Sequence, residues 1–354
     1  MSSVETLQDR PAPAQGRRLF TVAIVGATGA VDAELMGCLE RRDFPVGTLK
    51  LLASARSAGT TISYRGQPVA VEVLSENSFA GCDLALFAAD GETARTYAPH
   101  ARAAGAVVID NSSTFRLDLD CPLVIPELNL ETLNGHRGVI ANPNCIAIIA
   151  CMGVAPLQRR FGLRRLQLST YQAASGAGAP AMAELLASTE AYLRGEAFEP
   201  KALKHRYAFN LFSHDSKVDP ASGYNDEEIK VMAETRRILG ASNLPIGVTS
   251  VRVPTLRAHA ISVSAELDAP VAPAAVRECF EDAAGVRVVD DREANHFPMP
   301  CEAEGQGDVL VGRIRRDLGD PSGRSVTFFL AGDQLLKGAA LNAVQIAEQL
   351  LVTA

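Results

Sequence analysis

A strand with no polar face, Val22-Ala-Ile-Val25, opens the ordered part of this chain and is closed by Gly26. Such a strand must be buried on both sides, which calls for a parallel sheet sandwiched between helices. Behind it come Ala27-Thr28-Gly29-Ala30-Val31 and a helical pattern over 31–42. A strand, a tight glycine turn and a helix form a phosphate-cradling start, because the first helical amides lack helix partners and the dipole favours an anion. The spacing is G-x-x-G rather than G-x-G-x-x-G, so alone it also fits an ordinary strand–helix turn.

The following segments repeat the alternation. A strand over 49–53 ends in Ser54-Ala55-Arg56-Ser57-Ala58-Gly59. An NAD-binding fold places an acid here to hold the ribose 2′-hydroxyl. Arg56 and two serines stand there instead, which suits a 2′-phosphate and hence NADP. Residues 60–74 alternate around Arg65-Gly66 as a hairpin, followed by a strand at 83–87, a helix over 92–104 and a strand at 106–110. Arg116 follows the carboxyl end of that last strand, where open α/β sheets bind ligands, and is a candidate anion clamp. After a short strand at 138–140, Pro143 keeps Asn142 extended and delays the next helix. That helix begins at Cys145 and is nearly all apolar. A thiol in a helix's first turn is expected to have a lowered pKa and to act as a nucleophile.

Beyond Cys145 the pattern changes. A strand over 166–172 runs into the Gly-rich turn 173–178 and a helix over 179–194. Asn225 or Asp226 caps a further helix, on which Glu227 and Lys230 share a face. Alternating strands follow at 248–253 and 259–267, and His259 lies on the same face as Ile261, Val263 and Leu267. Strands at 308–316 and 325–330 and a closing helix over 335–352 complete the chain. Antiparallel strands with helices on one face make this part α+β, and the last helix is expected to return to the first domain. The organisation is then a leader (1–18), an NADP-binding domain (19–143 plus 333–354) and a catalytic and dimerisation domain (144–332).

Composition narrows the partners. At 47% hydrophobic and 21% charged residues the chain is globular, and no apolar run reaches the roughly 20 residues of a membrane span. A net charge of −7 argues against nucleic acid and anionic membranes. Seven scattered cysteines without C-x-x-C spacing indicate reduced thiols in a cytoplasm, with neither a disulfide framework nor a metal site. A helix-terminal Cys, a separate His, a cofactor loop and several Arg/Lys anion sites together suit an acyl-phosphate/aldehyde reductase.

From about residue 20 to 352 the chain also resembles the aspartate-β-semialdehyde dehydrogenase family. The matching stretches are GATGAV (26–31), ASARSAG (53–59), DNSSTFR (110–116), VIPELN (124–129), ANPNC (141–145), STYQAASGAG (169–178), AFN (208–210), NDEEIK (225–230), RVPTLRAH (252–259), VGRIRRD (311–317) and GDQLLKGAALNAVQIAE (332–348). The resemblance implies a Rossmann-type domain and an α+β domain that forms a homodimer or homotetramer. It implies Cys145 as nucleophile, His259 as acid/base and Gln172 as the residue orienting the substrate or acyl-enzyme. Arg252 would take the substrate's α-carboxylate and Glu227 its ammonium. Arg116, Asn144 and Lys230 would hold phosphate. Gly26, Thr28, Gly29, Ala30, Val31, Arg56, Ser57, Ser175, Gly176 and Gln334 would contact NADP. The reaction implied interconverts L-aspartate 4-semialdehyde and L-4-aspartyl phosphate, a step of lysine, threonine and methionine synthesis. Two positions depart from the family. Asp32 replaces a glycine and is expected to crowd the strand and repel pyrophosphate, and Ile146-Ala147 replace a Ser/Thr-rich pair. The rival readings are an N-acetyl-glutamyl-phosphate or acyl-CoA reductase, and a paralogue that only binds.

Overall fold

The computed structural model describes residues 18–353; the expected leader therefore lies outside the described residues, apart from Arg18, which pairs with Asp83 at 2.7 Å. The first half contains β1 (Phe20–Val25), α1 (Ala30–Arg41), β2 (Val46–Ala53), β3 (Thr61–Tyr64), β4 (Gln67–Val73), β5 (Leu84–Phe87), α2 (Gly91–Ala103), β6 (Val107–Asp110), α3 (Pro126–Asn129) and β7 (Val139–Ala141). Its strands lie in the order β3-β4-β2-β1-β5-β6-β7. All neighbours pair parallel except the edge hairpin β3–β4. The chain leaves β1 toward β2 and returns on its other side as β5, so the ends of these strands form a topological switch point. The absence of a polar face on β1 is explained by its packing. Val22 and Ile24 pack with Leu35 and Leu39 of α1. Ala23 and Val25 pack on the opposite face with Ala94, Ala98 and Ala101 of α2.

The second half contains α4 (Cys145–Phe161), β8 (Leu163–Gln172), α5 (Ala179–Leu193), β9 (Phe212–Ser213), α6 (Asp226–Ile238), β10 (Ile246–Arg252), β11 (His259–Leu267), α7 (Pro273–Glu281), β12 (Val286–Val288), α8 (Pro300–Ala303), β13 (Val309–Arg316), β14 (Ser325–Gly332) and α9 (Leu341–Thr353). The sheet order is β12-β13-β14-β11-β8-β10-β9. The expected antiparallel pairing holds for β8–β11, β11–β14, β13–β14 and β9–β10, but β8–β10 and β12–β13 are parallel. The sheet is therefore mixed. The long crossover through α5 and α6 brings β10 back beside β8 in the same direction. One face packs on α4, α6 and α7 around Ile149, Val231, Ile261, Phe280 and Phe328. The opposite face, with Tyr171, Ser262, Ser264 and Phe329, remains partly exposed. The closing helix differs from the expected single run. Leu336–Ala340 forms a wide π-type turn, and α9 follows it. Ala343, Val344 and Ala347 of α9 then join the core of the first sheet.

These architectures are a Rossmann-type dinucleotide domain and a mixed α/β sheet domain. Among the described residues no helix is long and apolar enough to cross a membrane.

Candidate active site

Asn144, the N-cap of α4, is fixed from three directions. Its Oδ1 accepts the Ile146 and Ala147 amides at 2.8 and 3.3 Å, as a capping Asn should. Its Nδ2 donates to both Glu227 oxygens at 3.0 and 3.2 Å, and its own N–H donates to Glu234 at 2.6 Å. Glu227 and Glu234 are two helical turns apart on α6 and face the start of α4 together. Gln172, the last residue of β8, donates to Glu227 at 3.3 Å. Arg116 is also tied in, donating to Asn142 O at 3.0 Å, Asn111 O at 2.6 Å and Glu234 at 3.3 Å.

The opposite wall comes from the second sheet. Arg252 ends β10 and donates through Nε to Asp215 at 3.1 Å; its Nη1 is buried with no partner among the described residues. His259 begins β11 fully buried, and its Nδ1 accepts the Ala173 amide at 2.9 Å. Its Nε2 is likewise buried and partnerless. Both bare atoms converge on Gly176, where a Cβ would lie 2.9 Å from His259 Nε2 and 3.2 Å from Arg252 Nη1. Gln334 accepts the Ala258 amide at 2.9 Å and donates to the Ser175 hydroxyl, which joins the chain end to this wall. Gly338 backs the thiol, since a Cβ there would lie 2.9 Å from that of Cys145. Lys230 is half-buried one turn beyond Glu227, where its charge reaches His214. Ile146 and Ala147 are packed in the core, so that position holds no polar side chain.

The electrostatics overturn one expectation. The Cys145 thiol is not held low but pushed up to about 12. Burial is the main cause and the Glu227 carboxylate the second; Arg116, Arg252 and the Ile146 amide pull only partly back. Helix-terminal stabilisation of a thiolate is a modest effect, and here desolvation exceeds it. His259 is held well below the ordinary imidazole value by burial, Arg252 and His214. The resting pair is thus a neutral thiol and a neutral imidazole. With Nδ1 accepting from Ala173, the imidazole carries its proton on Nε2.

The cofactor side suits a pyrophosphate. Gly26 has φ +105°, and a Cβ on it would press within 3.0 Å of the Ala88–Ala89 backbone, so only glycine passes there. The first intrahelical bond of α1 runs from the Ala33 amide to Gly29, leaving the amides of Ala30, Val31 and Asp32 ahead of it. Thr28 and Gly29 are exposed beside them, while Arg56 is exposed and Ser57 half-buried after β2. Asp32 does not crowd β1. It turns back so that Oδ2 accepts the Gly29 amide at 3.0 Å, covering one donor of the cradle. Its Oδ1 is buried without a partner among the described residues, and burial raises the carboxyl to about 8.

Comparison with known proteins agrees with both halves of the fold. Residues 21–136 match the semialdehyde dehydrogenase NAD-binding domain, and 154–337 match the semialdehyde dehydrogenase dimerisation domain. The molecule is therefore a two-domain oxidoreductase that uses a nicotinamide dinucleotide. Aspartate-semialdehyde dehydrogenase from Synechocystis sp. is 46% identical over 93% of this chain and 97% of its own length. The Bacillus subtilis enzyme of that name is 43% identical over 95% and 98%. The crystal structure of aspartate semialdehyde dehydrogenase II from Vibrio cholerae complexed with ASA superposes with a TM-score of 0.91, at 38% identity over 95% of this chain and 99% of that one. This chain belongs to the aspartate-semialdehyde dehydrogenase family.

Glu234, Asp215 and Lys337 were not singled out from sequence. Glu234 left a signal, its two-turn spacing from Glu227; Asp215 sits in a loop and left none.

Proposed function

We propose that the protein converts L-aspartate 4-semialdehyde, phosphate and NADP⁺ reversibly into L-4-aspartyl phosphate, NADPH and a proton, through a thioester on Cys145. The observation that carries this reading is the convergence of two buried, partnerless donors, His259 Nε2 and Arg252 Nη1, beside Gly176. Arg252 takes the substrate's α-carboxylate and Glu227 its ammonium; an acylated amine would leave Glu227 without that charge. Pairing of Glu227 also removes one of the two influences that hold the thiol protonated, so substrate binding itself favours the thiolate. With Glu227 paired, the Cys145 thiol releases its proton to solvent, the sulfur adds to the aldehyde carbon, and the Nε2 N–H of His259 donates a hydrogen bond to the developing oxyanion. To accept a proton instead, the imidazole must release Ala173 and move its own proton to Nδ1. When bound, the cofactor supplies the hydride acceptor. Phosphate, held by Arg116, Lys230 and the Asn144 Nδ2 once Glu227 has turned to the ammonium, attacks the thioester carbon, and Cys145 leaves as thiolate. Gln172 orients the acyl group. The partly exposed face of the second sheet joins a homodimer or homotetramer. The cysteines, none of them disulfide-bonded, suit the cytoplasm.

The direct test is NADPH formation from semialdehyde. Formation that needs both semialdehyde and phosphate supports the reading, and phosphate-independent formation overturns it. Arg56 and the absence of an acid after β2 support NADP over NAD. Arg56→Ala is expected to narrow that preference about ten- to a hundredfold, mainly through KM for NADP. Equal use of both cofactors by the unmodified enzyme contradicts the assignment.

Asp32 makes the cradle sensitive to pH. Its carboxyl is mostly neutral at pH 7 and becomes charged as pH rises through about 8, which sets it against the pyrophosphate. NADP binding by the unmodified protein is expected to weaken across that range. Asp32→Gly leaves the Gly29 amide only its 3.2 Å bond to Gly26 O and removes the nearby carboxylate, so it should bind NADP several-fold to about tenfold tighter, with the larger gain above pH 8. Stability has the same sign. A carboxyl raised in the folded state costs stability progressively from about pH 4 to about 8, so Asp32→Asn should raise Tm at pH 8 more than at pH 5. Calorimetric titration and melting at both pH values check this; parallel pH profiles for the variants and the unmodified protein rule it out.

A further inference from the structure

Lys337 is fully buried, and the chemistry above makes no use of it. A buried ammonium is tolerated only when its protons are satisfied and its charge is paired. All three protons are satisfied here. Nζ donates to Glu127 at 2.6 Å, Asn342 at 3.0 Å and Gln345 at 2.8 Å. Gln345 closes the ring by donating to the other Glu127 oxygen at 2.9 Å. Glu127 belongs to α3, whereas Asn342 and Gln345 belong to α9. Asn342 also donates to Val124 O at 2.9 Å and to Asn142 at 2.7 Å, three residues before the thiol. Burial favours the neutral amine, and the Glu127 carboxylate opposes it.

The lysine lies in the wide turn Leu336–Ala340. There the Gly338 amide bonds Asp333 O at 3.0 Å and the Ala340 amide bonds Leu335 O at 3.0 Å, each five residues back. Such turns are rare and unstable unless something holds them. In this turn Gly338 lies against the nucleophile. A Cβ on it would sit 2.9 Å from Cys145 Cβ and 3.3 Å from both Cys145 Cα and Gln334 Cβ. Relaxation to an ordinary α-turn would change the rotation of Gly338 about the helix axis and remove that backing.

We propose that Lys337 is a positioning residue: by bolting the wide turn to Glu127, it holds Gly338 against Cys145 and Gln334 and so fixes the thiol relative to the cofactor-facing amide. This rests on the reading of Cys145 as the nucleophile.

The test compares Gly338→Ala with the paired variant Lys337→Met/Glu127→Gln, which removes both charges and leaves no lone buried carboxylate. For each, kcat, the three KM values, Tm and the rate of Cys145 alkylation by iodoacetamide across pH are measured. Gly338→Ala is expected to lower kcat about a hundredfold with KM values within about threefold, as for a nucleophile displaced by about 1 Å. The paired variant is expected to lower kcat about tenfold or more. It should also alkylate faster with a lower pH midpoint, because water reaching the thiol relieves its desolvation. A lysine needed only for folding would lower Tm and leave these readouts unchanged. A folded paired variant with unmodified kcat and alkylation overturns the proposal, as does Gly338→Ala with kcat within about threefold of the unmodified enzyme. If the paired variant does not fold, Gly338→Ala alone decides. Cys145→Ala is assayed alongside. Activity in that variant removes the nucleophile reading itself, whereas an inactive Cys145→Ala beside a normal Gly338→Ala removes only the role of Lys337.

Discussion

Replacing Cys145 by alanine is expected to lower phosphate-dependent NADPH formation on the order of 10⁴-fold or more, since in the proposed mechanism only the sulfur carries the acyl group between hydride loss and phosphate attack. The fold should survive. Cys145 is the first residue of α4, the helix is capped by the Asn144 side chain rather than by the thiol, and alanine keeps the Cβ that packs against Gly338. Alanine is also a better helix former than cysteine. Binding of NADP and semialdehyde should therefore persist, with Tm within a few degrees of the unmodified protein. Activity above about a tenth of the unmodified rate would end the covalent mechanism. The raised thiol pKa does not conflict with this prediction. The Glu227 charge is the second cause of that rise after burial, and the proposed pairing of Glu227 with the substrate's ammonium would remove it.

What could be read from the sequence was local. The apolar Val22–Val25 required burial on both sides, and α1 and α2 supply it. Pro143 and the apolar run after Cys145 placed the start of α4 correctly. Alternation put His259 on the core face of β11. What failed depended on contacts between distant segments. The thiol pKa could not be read from the helix terminus alone, because packing of distant segments buries the sulfur and Glu227 approaches from α6, 82 positions along the chain. Leu335-Leu-Lys-Gly-Ala-Ala340 reads as continuous helix, since the widened turn is held by Glu127 far upstream. Pairing direction in the second sheet likewise depends on where α5 and α6 deliver β10, which strand periodicity does not encode. The contact of Asp32 with the Gly29 amide and its raised pKa likewise belong to the folded turn.

Arg252→Lys tests the substrate side of the site. Arg252 is 4% exposed, its Nε is committed to Asp215, and its Nη1 is left free beside His259 and Gly176. Asp215 thereby sets the orientation of the planar guanidinium, whose far edge is the part proposed to take the substrate's carboxylate. The Asp215 carboxyl is in turn held below its usual range, against the effect of its own burial, chiefly by that guanidinium. Lysine offers one point charge on a flexible stem and cannot serve Asp215 and a planar carboxylate in fixed directions together. Breaking one member of a buried, hydrogen-bonded charge pair costs about 2–5 kcal/mol, so kcat/KM for semialdehyde is expected to fall on the order of a hundred- to a thousandfold. The loss should appear mainly in KM for semialdehyde, since the α-carboxylate proposed to meet Arg252 does not react. KM for NADP should stay nearly constant, because the cradle after β1 is built from other segments. Steady-state kinetics with each substrate varied in turn decides the matter. A lysine variant whose semialdehyde KM is unchanged would place the α-carboxylate elsewhere and leave Arg252 as a structural partner of Asp215.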